Sequence, residues 1–217
     1  MNSEAASVML IDDHPLLRKG LRQLLEYEDD LDVVAEASSG KDAIPIAVEL
    51  DPDLIILDLN MQGMDGLATL QALRKEGVTS RIVMLTVSDA DEDVVQAITL
   101  GADGYLLKDM EPEQLLEQIR RAVTGKMVLS ESVAAVLATA LRKPGPKPNA
   151  ELNSLTNREY EILSLIAKGM SNKVIARELD ISDGTVKVHV KHLLKKLGLR
   201  SRVEAAVWMV NQQGAKA

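Results

Sequence analysis

Val8-Met9-Leu10-Ile11-Asp12-Asp13, Leu54-Ile55-Ile56-Leu57-Asp58 and Tyr105-Leu106-Leu107-Lys108 are three short apolar runs that each end in charge. The run 54–57 is apolar throughout rather than alternating, the pattern of a strand buried on both faces. Around it, residues 8–11, 33–37, 82–85 and 104–107 read as further strands. Segments 16–27, 41–50, 66–76, 90–100 and 113–123 carry apolar residues at helical spacing. Pro45 lies inside one of them and is tolerated only if it falls in about the first turn. Five strands alternating with five helices predict an α/β fold, a doubly wound parallel sheet with helices on both faces. The expected strand order, 2-1-3-4-5, puts strands 1 and 3 side by side.

In such a sheet functional groups collect past the carboxyl ends of the strands, near the point where strand order reverses. Asp12, Asp13, Asp58, Thr86 and Lys108 all follow apolar runs at that edge. Three carboxylates within a few ångströms repel one another. A divalent cation such as Mg2+, which prefers oxygen ligands, relieves the conflict and keeps room for a phosphate. Lys108 adds a point positive charge for phosphoryl oxygens, and Thr86 adds a hydroxyl.

The second half of the chain differs. The 217 residues carry a net charge of −8. Residues 1–125 hold 10 basic and 25 acidic side chains, residues 126–150 hold 4 and 1, and residues 151–217 hold 11 and 7. An acidic front and a basic back imply two domains with different partners. Lys143-Pro144-Gly145-Pro146-Lys147-Pro148 cannot continue a helix and reads as a hinge, preceded by a helical segment at 132–141. The expected organisation is therefore 1–125, a linker over 126–150, and an all-α domain over 151–217 with four helices at 157–167, 173–179, 185–197 and 202–212. No apolar run approaches the roughly 18 residues of a membrane span, and the acidic N-terminus lacks a signal-peptide layout. Cysteine is absent, so there is no disulfide framework, and a reducing cytoplasm fits. Aromatics are 2% of residues, which argues against base stacking as a route to nucleic acid.

Residues 172–191 have the layout of a helix-turn-helix. Ser182 is placed to cap the second helix, and Asp180 occupies the turn position where left-handed backbone is needed. On the second helix Val186, Val190, Leu193, Leu194 and Leu197 form a core stripe. Lys187, Val188, Lys191 and Lys195 face away. A valine between lysines suits a major groove, where lysine reaches guanine acceptors and valine meets a thymine methyl. Lys173, Arg177 and Thr185 are placed to hold phosphates. His14, His189 and His192 lack metal-site spacing and read as structural or surface residues.

These residues carry a resemblance. Asp12-Asp13, Asp58, Thr86 and Gly104-Tyr105 with Lys108 resemble the receiver domain of two-component response regulators, over residues 7 to 124. Leu155–Glu159, Ala167–Lys173 and Thr185–His189 resemble the LuxR-type DNA-binding domain. The combination is similar to the NarL/FixJ family, and within it to its nitrate/nitrite regulators. The resemblance implies Asp58 as phosphoacceptor and Asp12, Asp13 and the backbone carbonyl of Asn60 as Mg2+ ligands with it. It implies Lys108 on the phosphoryl group and Thr86 and Tyr105 as switch residues, Tyr105 turning into space that Thr86 vacates. It implies Lys187, Val188 and Lys191 as base-reading residues. It further implies a membrane sensor histidine kinase that detects nitrate or nitrite, double-stranded DNA with two-fold or tandem half-sites, and a homodimer when phosphorylated or on DNA. Pairing would run through the last helix, and contact with RNA polymerase is expected. Gln62 and Asp109 stand where the family often has proline. Two other classes compete. A phosphohydrolase working through an aspartyl phosphate usually has a second Asp two residues after the nucleophile, where this chain has Asn60, and needs a cap insertion that is absent; the chain is thus read as a regulator rather than an enzyme. An adaptor using the basic helix to bind protein would show no linear fall of log affinity with log salt.

Overall fold

The computed structural model describes residues 5–130 and 154–214. The first unit is a parallel sheet in the order β2-β1-β3-β4-β5-β6. Its strands are β1 (Ala6–Ile11), β2 (Leu31–Ala37), β3 (Leu54–Leu57), β4 (Arg81–Thr86), β5 (Gly104–Leu107) and β6 (Val128–Leu129). Helices α1 (Pro15–Glu26), α2 (Gly40–Leu50), α3 (Gly66–Glu76), α4 (Asp91–Leu100) and α5 (Pro112–Val123) connect the first five strands and follow β5. The strand sequences account for the layers. Met9, Ile11, Ile55, Leu57, Ile82 and Met84 point into one core, shared with α2, α3 and α4. Their alternates Val8, Leu10, Leu54, Ile56, Val83 and Leu85 point into a second core under α1 and α5. Central strands with two buried faces have no polar alternation to show.

Two details differ from expectation. The sheet has a sixth strand: Val128–Leu129 pairs in parallel with Gly104–Tyr105, inside the segment read as linker. A two-residue strand has no periodicity for a sequence pattern to reveal. Pro45 is the sixth residue of α2, well past the first turn. Its missing N–H removes one helical bond, to the carbonyl of Lys41. Both residues are exposed, so water can serve that carbonyl. The expected helix at 132–141 and the proline-rich hinge lie outside the described residues.

The second unit is four helices: α6 (Asn157–Ala167), α7 (Asn172–Glu178), α8 (Asp183–Leu197) and α9 (Arg202–Gly214). Thr156 and Glu159 form a capping box on α6, and Ser171 and Ser182 cap α7 and α8. Asp180 takes the left-handed turn at φ 52°. The unit has its own core, built from Ile162, Ile166, Ile175, Val186, Val190, Leu193, Trp208 and their neighbours.

A buried polar cluster ties α3 to the β4 and β5 ends. The Arg74 guanidinium donates to the carbonyls of Val78, Ser80 and Gly101 and pairs with Asp103 at 2.7 Å. Asp103 is 2% exposed and also accepts from the Ile82 N–H. Removing one partner of a buried pair strands the other charge in low dielectric. Arg74→Met is expected to destabilise the first unit by about 3–5 kcal/mol, read as a fall in the urea midpoint at unchanged m-value.

Candidate functional site

Adjacency of β1 and β3 places Asp58, at the end of β3, next to Asp12 and Asp13, and Lys108 reaches in from the end of β5. The Lys108 ammonium stands 2.8 Å from Asp12 Oδ2 and 3.0 Å from Asp58 Oδ1. Asp58 is 2% exposed, and its Oδ2 is buried without a hydrogen-bond donor. Burial raises the Asp58 carboxyl above the usual carboxylate range; Lys108 opposes this, Asp12 adds to it, and the Asn60 N–H lowers it slightly. Asp13 accepts from the Gln62 N–H at 2.8 Å, which pins the loop after β3 against the acidic pair. Proline at this position would lack that donor.

His14 also belongs to this cluster. Its Nδ1 is 2.9 Å from Asp13 Oδ1 and 3.4 Å from Asp12 Oδ1. Ligand atoms of Asp12, Asp13, His14 and Asp58 all lie within 4.8 Å of one another. His14, read as structural or surface, is an exposed residue that stands beside the acidic cluster. Its position directly after Asp12-Asp13 was the available signal, since a side chain three residues past the end of β1 lies at that same edge. The donor set is dominated by carboxylate oxygens, three of them (Asp13 Oδ1 and both Asp58 oxygens) buried without a hydrogen-bond partner, which suits a hard divalent cation.

Thr86 is fully buried, and its hydroxyl accepts from the Ser88 N–H at 3.2 Å and from Asn60 Nδ2 at 3.5 Å. Tyr105 is fully buried too, with its hydroxyl donating to the Ser88 carbonyl at 2.9 Å. Burial, with Asp93 nearby, pushes the phenol up to about 12. The ring occupies the interior in this structure, the inward position expected of a switch tyrosine. Packing against the apolar core holds it there.

The residues read as DNA contacts lie against the first unit. Lys187 Nζ donates to the Asp51 carbonyl at 2.6 Å, and Lys191 Nζ to the Glu76 carbonyl at 3.0 Å. Val188 lines a small cavity with Val48, Gly77 and Thr79. Lys173 Nζ donates to the Ala5 carbonyl at 2.7 Å and sits 3.3 Å from Asp53. Arg177, Thr185 and Lys195 are exposed. The receiving side escaped sequence reading: Asp51, Glu76 and Thr99 act through main-chain carbonyls, which every residue possesses. Asp51 (φ 38°) caps the end of α2 while its carboxylate accepts four bonds from Thr79 and Ser80. Gly125, at φ 100°, lies so close that a Cβ there would fall 2.1 Å from the Gly169 carbonyl. At the same seam Arg81 and Arg202 are both buried; burial, then Arg202, pulls the Arg81 guanidinium down to about 9.

Comparison with known proteins accords with this geometry. Residues 8–120 match the response regulator receiver domain, and residues 153–209 match the luxR family of bacterial regulatory proteins. The chain is 57% identical over 208 residues to the nitrate/nitrite response regulator protein NarL of Escherichia coli K12, covering 96% of each chain. It is 52% identical to NarP of the same strain, again over 96% of each. Among solved structures it resembles the response regulator ChrA of a heme-sensing two-component system (TM-score 0.52, 36% identity, 97% of this chain and 99% of that one). It also resembles the RcsB–DNA complex (TM-score 0.58, 25% identity, 95% and 98%). No described helix is long and apolar enough to cross a membrane. A receiver whose strand ends gather acid, Lys108 and Thr86, joined to a helix-turn-helix whose lysines rest on it, makes this chain a member of the NarL/FixJ family of two-component response regulators, close to its nitrate/nitrite regulators.

Proposed function

We propose that Asp58 is the phosphoacceptor and that its phosphorylation by a sensor histidine kinase releases a DNA-reading helix from the receiver. The single observation that carries the reading is that Lys187 and Lys191, on the outward face of α8, are spent on receiver carbonyls. A helix so engaged cannot enter a major groove. The units are read as a receiver over 1–125, a linker over 126–150 and an effector over 151–217, acting in the cytoplasm where DNA and kinase domain meet.

An Asp58 carboxylate oxygen attacks the phosphorus of the donor, and the donor's bond to phosphorus breaks as the acyl phosphate forms. Lys108 stands where it would neutralise charge on the transferring oxygens. Mg2+ held by Asp12, Asp13, Asp58 and the Asn60 backbone carbonyl would supply further neutralisation of those oxygens. The Thr86 hydroxyl, at the end of the neighbouring strand β4, would turn to donate to the new phosphoryl group. The product replaces the Asp58 carboxylate with an acyl phosphate carrying about two negative charges beside the remaining carboxylates of Asp12 and Asp13.

On DNA, Lys187, Val188 and Lys191 would meet base edges, with Lys173, Arg177, Thr185 and Lys195 on phosphates. Pairing of two copies through α9 is supported by its exposed Val207 and Val210. Val203, Val207 and Val210 also line a cavity against Arg81, Gly125 and Met127 of the receiver. The closed form therefore covers part of the pairing helix as well. Such a dimer on DNA is the species that would contact RNA polymerase, in a response to nitrate or nitrite.

Asp58→Asn is expected to abolish hydroxylamine-sensitive phosphate incorporation from a small phosphodonor with Mg2+, and retention of that label would remove the phosphoacceptor assignment. Asp13→Ala is expected to weaken Mg2+ affinity, followed by titration of the metal, while Asp58 stays available.

The effector owns a complete core, so the fragment 150–217 can be tested alone. It is expected to bind DNA more tightly than the unphosphorylated full chain, and equal affinities at one ionic strength would rule out masking.

Within that fragment Lys191→Ala should cost about 1–3 kcal/mol on the cognate site and much less on random DNA. Lys173→Ala should weaken both alike and flatten the salt slope by about one unit. Equal losses on both DNAs for Lys191→Ala would make α8 a charged surface rather than a reader.

A further inference from the structure

One helix touches both ends of the problem. At its start, the lead into α4 is fastened to the switch residues through Ser88. The Ser88 N–H donates to the Thr86 hydroxyl, its carbonyl accepts from the Tyr105 phenol, and its hydroxyl donates to Asp93 in the first turn of α4 at 2.6 Å. At the other end, roughly 15 Å away for a helix of this length, the carbonyl of Thr99 accepts a hydrogen bond from the Arg200 guanidinium of the effector. The last carbonyls of a helix have no partner within it and carry the negative end of its dipole. Gly101, the left-handed cap of α4, lets the stem of Arg200 lie close, since a side chain there would meet Arg200 Cβ at 3.2 Å. Gly101 is itself held by two bonds from Arg74.

We propose that Arg200 is the positioning residue through which the phosphorylation state of the receiver reaches the effector, by latching the turn between α8 and α9 to the C-terminal end of α4. This rests on the masking reading above. Lys187 and Lys191 grip the ends of α2 and α3; Arg200 grips the helix whose start is tied to Thr86 and Tyr105. When the Thr86 hydroxyl rotates to a phosphoryl oxygen, the Ser88 N–H loses its acceptor, and the lead into α4 must find a new arrangement. A shift of α4 moves the Thr99 carbonyl away from Arg200. The latch opens first, and α8, with its lysines on the neighbouring helix ends, is free to follow.

The experiment compares full-length wild type, Arg200→Ala and Arg200→Lys. Arg200 is exposed, so truncation leaves the effector core intact. Affinity for a duplex selected by the phosphorylated wild type is measured with and without phosphorylation, and the ratio is read, which cancels any direct contact of Arg200 with DNA. The wild type should gain affinity on phosphorylation. In Arg200→Ala that gain should shrink by on the order of tenfold, the worth of one charge-assisted hydrogen bond, because the unphosphorylated chain is already partly open. Arg200→Lys should keep most of the gain. Because the chain has no cysteine, spin labels at introduced K41C and H192C report the separation of the two units without DNA. Unphosphorylated Arg200→Ala should show the broad distribution of the phosphorylated wild type. If Arg200→Ala keeps the full gain and the narrow distribution, the latch is wrong while masking stands. If the wild type itself shows neither a gain nor a change of distance, masking fails and the latch with it.

Discussion

A carboxylate that is almost fully buried beside two others sets the terms for the receiver. Asp58 at 2% exposure has Asp12 and Asp13 as neighbours and Lys108 as its one close cation. Such a group is costly to ionise without neutralising charge. Each surrounding feature answers that cost. The 2-1-3 adjacency of strands brings the acids together, β5 delivers the lysine, and the Gln62 N–H steadies the loop. A phosphoryl group added there enlarges the negative charge, which Lys108, at 3.0 Å from Asp58 Oδ1, and the Thr86 hydroxyl at the end of β4 are placed to answer. Reactivity and switching thus come from one electrostatic problem.

The effector is held by a different kind of charge. Its cations end on main-chain carbonyls at the C-termini of α2, α3 and α4: Lys187 on Asp51, Lys191 on Glu76, Arg200 on Thr99. Those ends are partial negative charges fixed in space by helix geometry. On the masking reading they stand in for DNA phosphates and base acceptors. The net charge of −15 over residues 1–125 gives a favourable background field, but the grip itself is made by backbone. Changes among surface acids of the receiver would therefore disturb it less than a shift of the helices that carry the carbonyls.

Much of this was legible in the sequence, and the failures share a cause. The continuous apolar run 54–57 identified a strand buried on both faces, and Leu54 with Ile56 against Ile55 with Leu57 in opposite cores shows why it lacks alternation. Ser182, Asp180 and the stripe from Val186 to Leu197 defined the helix-turn-helix because capping, left-handed turns and helical period are local properties. What sequence did not reveal is nonlocal. The two-residue β6 exists only because β5 offers an open edge. The buried Tyr105 depends on packing against residues of several elements. The carbonyls that receive Lys187, Lys191 and Arg200 have no residue identity at all.

A closed state that must be opened by a signal cannot be very stable. Coupling between two sites in a protein of this kind is typically about 1–3 kcal/mol, so a mask much tighter than that would never release. The interface shows both sides of this balance. Four effector cations find receiver carbonyls, yet two buried guanidiniums, Arg81 and Arg202, face one another across the seam, each satisfied by carbonyl or amide oxygens rather than by a carboxylate. Burial of Arg81 is the main cause of its lowered guanidinium, and the charge of Arg202 adds to it; both work against closure. An Asp or Glu at that seam would pair with both and lock the units together. Asp53, which does lie at the seam, pairs with Lys173 instead, and neither guanidinium has a carboxylate ion-pair partner among the described residues, which keeps the closed arrangement within reach of one phosphoryl group.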